Sequence, residues 1–89
     1  MAVVHVPALW RRLTGGRDQV VAQGRNVREL IDDLERQFPG FKKVLLQGDR
    51  LAGSVAVWIG GQVATRGLLE PLEEGSEVYF IPAISGGVQ

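Results

Sequence analysis

Few residues of this 89-residue chain are of the types that carry chemistry, and their spacing excludes most reactions. His5 is the only histidine, and no serine or cysteine nucleophile lies near it in the sequence. We therefore interpret it as a strand residue on the solvent-facing side. Cysteine is absent and histidine forms no cluster, so the sequence offers no metal-ligating set. These features predict a protein that is not an enzyme, has no catalytic residue and binds no metal or cofactor of its own.

Three Gly-Gly pairs punctuate the chain, and the last differs from the others in its position. Gly15-Gly16 and Gly60-Gly61 lie between predicted elements, and neither is followed by the Lys-Ser/Thr of a phosphate-binding loop. Gly86-Gly87 follows the final predicted strand, where no turn is needed. The residues alone leave two interpretations open, a frayed end and a functional tail. A functional tail would be a thin, flexible thread that begins at Ser85 and carries almost no side chains.

Composition and charge are typical of a single folded domain. Apolar residues make up 45% of the chain and charged residues 22%. Ten basic residues balance ten acidic ones, so the charge predicts neither a nucleic-acid nor a membrane partner. The first residues lack the basic and apolar regions of a signal peptide, and no apolar run is long enough to span a bilayer. Together with the absence of cysteine, this predicts a cytoplasmic protein.

Short β-branched runs predict a hairpin at the start of the chain. Strand one covers 2–6 and places His5 on the face opposite Val4 and Val6. Strand two covers 19–22. The connection between them should fold over the edge of the sheet through three apolar side chains: Leu9, Trp10 and Leu13.

An amphipathic helix is the clearest predicted element. Its apolar residues recur at offsets of three, four and seven: Val27, Leu30, Ile31, Leu34 and Phe38. Asn26 is the predicted N-cap with Glu29 three residues later, and Pro39-Gly40 ends the helix. Three carboxylates fall on the polar side, where we expect a solvated face: Asp32, Asp33 and Glu35. A second short helical segment, 41–46, precedes a turn at Gly48-Asp49.

The remaining segments complete an α+β order. Strand three covers 55–59 and directs Trp58 away from the helix. Segment 62–65 can form a short strand, and 68–72 is a covering loop. The final strand covers 78–81, and it is central if it lies beside strand one, as such crossovers allow. Because Pro82 has no N–H, pairing should fade there or Pro82 should lie at a sheet edge. The result is a mixed four- to five-stranded sheet with one main helix on one face.

Two blocks of this sequence resemble the ThiS/MoaD family of ubiquitin-like sulfur carriers. The blocks are VAVWIGG at 55–61 and PLEEGSEVYFIPAISGG at 71–87, of which the final block is the more specific. The resemblance covers nearly the whole chain and implies a β-grasp fold. It also implies a domain over residues 1–84 and a flexible tail over residues 85–89.

In that family the carboxylate of the last glycine is the working group. The resemblance implies that an E1-like enzyme adenylates Gly87 with ATP. Sulfur from a sulfurtransferase or desulfurase then gives a thiocarboxylate that supplies a sulfur-accepting biosynthetic enzyme. Gly86 and Ser85 would thread into a narrow channel of the activating enzyme, because glycine lacks a Cβ atom.

The chain departs from the family pattern in running on through Val88-Gln89. Three interpretations follow. A metalloprotease of the JAMM type removes Val88-Gln89 from a precursor by cutting between Gly87 and Val88. Alternatively, the extension is an artefact or marks a variant that is never activated. In the third interpretation the protein is a ubiquitin-like modifier that is joined through Gly87 to a target lysine after processing.

The activating enzyme needs a surface on which to dock. The strand alternation predicts an aromatic face that the domain's own helix leaves open: Trp58, Tyr79, Ile81 and His5. The alternative is that 8–16 or 62–72 covers these side chains, and a non-activated interaction module would use the same face. Three arginines could add a basic rim, although scattered surface charge is the simpler account: Arg11, Arg12 and Arg17.

Overall fold

A computed structural model of the chain describes residues 1–83. The predicted tail residues Ser85, Gly86, Gly87 and Val88 lie outside the described residues, as does the domain boundary after residue 84. Strands and helices follow one another along the chain as β1 (Ala2–His5), a 3₁₀ helix (Ala8–Thr14), β2 (Gln19–Ala22), α1 (Val27–Gln37), α2 (Phe41–Leu45), β3 (Leu46–Gln47), β4 (Arg50–Leu51), β5 (Val55–Ile59), β6 (Gln62–Val63), a second 3₁₀ helix (Gly67–Leu69) and β7 (Glu77–Pro82).

Five of the strands form one mixed sheet in the order β2-β1-β7-β5-β6. The final strand β7 is central, parallel to β1 and antiparallel to β5. The other neighbours pair antiparallel. A parallel pair needs a long crossover, which the whole chain between β1 and β7 supplies. The predicted α+β class and the central place of the last strand are therefore confirmed.

Helix α1 covers one face of this sheet. Four residues of its apolar stripe are 0–1% exposed and meet the inward-facing residues of the central strands, whereas Phe38, just after the helix, is half-buried. The predicted cap is present, because the Asn26 side chain accepts a hydrogen bond from the Glu29 N–H at 2.9 Å. Glu29 in turn accepts one from the Arg25 N–H. The local pattern therefore decided both where the helix begins and which side it buries.

The connection between β1 and β2 corrects one expectation. Trp10 is buried and Leu13 packs against the core, but Leu9 is 68% exposed. The segment is a 3₁₀ helix, in which residues three apart share a side. Trp10 and Leu13 therefore face the core together while Leu9 faces solvent.

The predicted turn at Gly48-Asp49 belongs to a small two-stranded sheet of its own. The chain leaves α2 at Leu45, and Leu46 then pairs with Leu51 across the turn. Periodicity predicts no strand here because a two-residue strand is too short to show alternation.

Pairing does not fade at Pro82, contrary to one of the two predicted outcomes. Pro82 lies opposite Val55, and the Ala83 N–H still donates to the Ser54 carbonyl at 2.6 Å. Successive residues of a strand point their N–H groups to opposite neighbours. The Pro82 nitrogen therefore points to the other side of β7, where β1 has already ended, so the missing N–H removes no bond to β5. On the side of β7 that faces β1, Pro82 therefore lies at an edge of the sheet, as the other predicted outcome stated.

The three carboxylates of the polar helix side do more than face solvent. Asp32 pairs with Lys42, Glu35 accepts the N–H groups of Gly40 and Lys42 at the start of α2, and Asp33 accepts the N–H of Gln23 after β2. These contacts hold the segments that precede and follow α1 in the sequence against the helix. The simple solvated-face interpretation was incomplete because the partners lie outside α1, and helix periodicity does not specify how those segments fold back on it.

Gly24 lies where the chain passes closest to the start of α1. A Cβ atom at this position would overlap the backbone nitrogen of Leu30 and lie 2.8 Å from the Glu29 carbonyl carbon. We expect Gly24→Ala to lower the free energy of unfolding by about 1–3 kcal/mol in urea denaturation, because backbone must move. The matched control is Gly53→Ala, where nothing described lies within 4 Å. Equal effects of the two substitutions would contradict this packing.

Asp33 links stability to pH. The backbone N–H of Gln23, with Arg36 and Gln37, lowers the pKa of the Asp33 carboxyl below its ordinary value of 3.8. Its contribution is complete above the unfolded-state value and is lost as pH falls through the lower folded-state pKa. We expect Asp33→Asn to reduce the acid-induced loss of unfolding free energy below about pH 4 in urea titrations. Asp49→Asn, at the exposed β3–β4 turn, serves as control, and an equal reduction there would refute the assignment.

Candidate functional site

The face of the sheet opposite α1 carries the predicted partner-binding residues. Strand registers place His5 beside Tyr79 and Tyr79 beside Trp58. Gln19 and Val63 extend this line to the two edge strands. One row of side chains therefore crosses all five strands, and three of the four predicted residues lie next to one another in it. We call this surface the outer face.

Ile81, the fourth predicted residue, lies two positions after Tyr79 on the same face of β7. Tyr79 is 41% exposed and Ile81 44%, whereas His5 and Trp58 are half-buried. The alternative that 8–16 or 62–72 covers the face is therefore wrong for Tyr79 and Ile81 within residues 1–83. Apolar exposure in the middle of a sheet is typical of an interaction surface.

Two exposed valines on the outer face were missed. Val21 on β2 is 45% exposed and Val63 on β6 is 49% exposed. Alternation within strand two could have identified Val21, because its neighbours Val20 and Ala22 are the buried pair. Val63 had no such signal, since its two-residue strand is too short to alternate.

His5 is held more tightly than a simple solvent-facing residue. Its ring stacks on Tyr79 with centroids 3.9 Å apart and planes within 2°. Its Nε2 lies 2.8 Å from Glu77 Oε1, and its side chain is only 16% exposed. The parallel register produces this arrangement by setting His5 opposite Tyr79, with Glu77 two residues earlier on the same face. The contacts give the centre of the outer face a defined shape.

A groove of about 280 Å³ opens where β1 ends beside β7. His5, Tyr79 and Ile81 line it from the outer face, and Arg11 and Asp18 line it from the connection between β1 and β2. A larger concavity of about 540 Å³ lies near the start of α1, and no predicted site residue lines it. Among residues 1–83, no group of three or more metal-ligating side chains is arranged to hold an ion.

Sequence and structure comparisons both find relatives along nearly the full chain. The sequence matches the model of the ThiS family over residues 4–87. It is 28% identical to the sulfur carrier protein CysO of Mycobacterium bovis, over 94% of this chain and 96% of that protein.

Solved structures agree with this match. A chain of the Amycolatopsis orientalis BexX/CysO complex superposes with a TM-score of 0.92 at 30% identity, covering 98% of this chain and 100% of that one. Small archaeal modifier protein 1 from Methanosarcina acetivorans superposes with a TM-score of 0.81 at 26% identity, covering 97% and 95%. The predicted ubiquitin-like β-grasp fold is confirmed.

Within residues 1–83, no helix combines the length and apolar character needed to cross a membrane.

Truncation of two neighbouring residues of β7 should have different effects on stability, because one lies in the core and the other on the outer face. Phe80 is 2% exposed in the core, whereas Ile81 is 44% exposed on the outer face. We expect Phe80→Ala to lower the free energy of unfolding by about 3–5 kcal/mol, and Ile81→Ala by less than about 1 kcal/mol. Urea denaturation of both variants measures the difference. A large loss for Ile81→Ala would mean that this side chain serves the core and is not available to a partner.

Proposed function

Because the chain belongs to the ThiS family, we propose that it is a sulfur carrier whose working group is the carboxyl of Gly87. The observation that carries the proposal is the extent of the family match, which includes Gly86 and Gly87 and ends before Val88. The naming of the Mycobacterium bovis relative as a sulfur carrier supports the same role. In this role the chain needs no catalytic residue of its own, because other proteins perform the chemistry on its carboxyl.

The first step is proteolysis. Val88 follows Gly87, so the Gly87 carboxyl is held in a peptide bond. A metalloprotease of the JAMM type hydrolyses that bond and removes Val88-Gln89. No activation of Gly87 can precede this cut, because an amide carbonyl has no carboxylate oxygen to offer.

Activation and sulfur transfer follow on the freed carboxylate. In an E1-like enzyme, a carboxylate oxygen attacks the α-phosphate of ATP and pyrophosphate leaves. A sulfurtransferase or desulfurase then supplies sulfur as a persulfide, which displaces AMP and forms an acyl disulfide with Gly87. A second thiol reduces the S–S bond, forms a disulfide with the donor cysteine and leaves Gly87 as a thiocarboxylate. The product passes its sulfur to an accepting biosynthetic enzyme. ATP belongs to the activating enzyme in this scheme, and the carrier holds no cofactor.

The short segment between β7 and Gly87 requires these enzymes to bind close to the sheet. Gly87 follows Ala83 by four residues, which span at most about 14 Å when fully extended. Any enzyme that acts on the Gly87 carboxyl must therefore approach the end of β7. Glycine at 86 and 87 suits entry into a narrow channel, because neither residue carries a Cβ atom, and the small Ser85 precedes them.

The outer face is the proposed docking surface for the activating enzyme. It presents Tyr79 and Ile81 exposed on β7, the strand that leads to the tail, and Trp58 half-buried on the neighbouring β5. Aromatic residues are enriched in the well-packed centres of protein interfaces. The crystallisation of a similar chain within a BexX/CysO complex supports partnering with other proteins.

A ubiquitin-like modifier is the second candidate, favoured by the likeness to small archaeal modifier protein 1. In that role the activated Gly87 would acylate a lysine of another protein. The chain itself has only two lysines, adjacent at Lys42 and Lys43, and Lys42 is paired with Asp32 at 2.8 Å. Extended chains of self-linked copies are therefore disfavoured. A non-activated interaction module would use the outer face without chemistry at Gly87.

Intact-mass spectrometry tests the carrier function. We expect the 89-residue chain, incubated with a lysate of its own cells, ATP and a sulfur source, to lose Val88-Gln89 first. It should then gain the mass that accompanies replacement of one carboxylate oxygen by sulfur. A chain that ends at Gly87 should gain that mass without the proteolytic step.

The matched control is a chain that ends at Gly86, which should keep the fold and accept no sulfur. Recovery of the 89-residue chain at unchanged mass, together with an unreactive chain ending at Gly87, would exclude activation at this residue. Covalent adducts with other proteins in place of the thiocarboxylate would favour the modifier.

A further inference from the structure

The groove at the end of β1 is bounded by two prolines. Pro7 directs the chain away from the sheet after β1, and Pro82 is the last residue of β7. The Val3 N–H donates to the Ser76 carbonyl, and the bonds of a parallel pair recur every two residues along each strand. The next donor toward the Phe80 carbonyl would therefore be residue 7, which has no N–H. Because Pro82 has no N–H to donate either, an added β-strand would lose a ladder bond at this point, and a side chain fits the groove better.

Arg11 is the distinctive residue of this groove. Its side chain is half-buried, and its Nε donates to the Val6 carbonyl at 3.1 Å. No carboxylate within residues 1–83 lies within ion-pairing distance of it. The next residue, Arg12, is exposed and does not line the groove. Arg11 is therefore a guanidinium held in place by the backbone, with its Nη donors free of any described acidic partner.

We propose that this groove receives an acidic side chain of the protein that docks on the outer face, and that Arg11 binds its carboxylate. The proposal rests on the docking role given to the outer face above. The groove is continuous with the outer face, since His5, Tyr79 and Ile81 belong to both surfaces, so a protein docked on the outer face reaches the groove. A guanidinium binds a carboxylate through paired N–H donors, and arginine beside tyrosine is a common composition of interface hot spots.

Asp18 defines the competing possibility. Its exposed carboxylate lines the same groove, and together with the carbonyl groups of β7 it would favour a cationic occupant. A half-buried guanidinium without an acidic partner is the less common situation, because burial of an unpaired charge is unfavourable. We therefore expect Arg11 to favour a negatively charged occupant, and Asp18 to weaken the binding of that carboxylate by repulsion.

Small probes of opposite charge test the groove directly. Phenylacetate and benzylammonium share an aromatic ring, which can lie against Pro7 and Ile81, and differ in charge. In ¹⁵N-edited NMR titrations we expect phenylacetate to shift the Arg11 Nε–H and Ile81 amide signals saturably, and benzylammonium to leave both unchanged. Arg11→Gln should raise the Kd for phenylacetate by about tenfold, since it removes a charge-assisted contact.

Two matched variants complete the titration. Arg12→Gln removes the same charge outside the groove and should leave the phenylacetate Kd unchanged. Asp18→Asn removes the like charge and should lower that Kd. Because Asp18 is exposed, this variant keeps the proposal testable if Arg11→Gln does not fold. Three outcomes would each overturn the proposal. Benzylammonium could bind saturably and lose that binding in Asp18→Asn, the two arginine variants could change the phenylacetate Kd equally, or phenylacetate could cause no saturable shift.

A kinetic measurement then connects the groove to the carrier function. In the sulfur-transfer assay with chains ending at Gly87, Arg11→Gln should raise KM about fivefold or more with kcat unchanged, and Arg12→Gln should not. Equal KM values for the Arg11→Gln chain and the unsubstituted chain would overturn the Arg11 assignment and leave the carrier function standing. Failure of the unsubstituted chain to accept sulfur would instead count against the carrier function, and the NMR titration would still decide the charge of the groove.

Discussion

The parallel pairing of β1 with β7 is the constraint on which the rest of the structure depends. It joins the two ends of the described chain, with Val3 opposite Glu77 and His5 opposite Tyr79. A parallel pair cannot be closed by a tight turn, so the helix and the other strands together form its connection. The strand that leads to Gly86-Gly87 thereby gains a neighbour on each side. The last described strand before this glycine pair is therefore anchored at the centre of the sheet.

Alternation along β7 divides this one strand between stability and recognition. Val78 and Phe80 lie against α1, while Tyr79 and Ile81 lie on the outer face. A shift of register by one residue would exchange the two sets, and burial of the first set opposes such a shift. The proposed docking surface is therefore held in position by the same contacts that form the core. This arrangement suits the docking role proposed for the outer face.

The unequal ends of β1 and β7 shape the surface next to the outer face. β1 stops before Pro7 while β7 continues to Pro82 in register with β5, and the mismatch in length opens the groove next to the outer face. Because His5 is stacked on Tyr79 and Arg11 is bonded to a backbone carbonyl, the side chains around the groove are largely arranged before a partner arrives. Such preorganisation lowers the entropy lost on binding.

Local patterns in the sequence determined the elements and the faces they present. The helix and its cap at Asn26, the inward side of β5 and the outward direction of Trp58 and Tyr79 all follow from periodicity, which each segment carries by itself. The Gly86-Gly87 site and the β-grasp fold followed from resemblance to a family. Tertiary structure alone decided the register that aligns one row of side chains across five strands, the stacking of His5 and the place of Arg11 at the groove. Periodicity specifies which way a side chain points, whereas its neighbour depends on pairing between segments far apart in the chain.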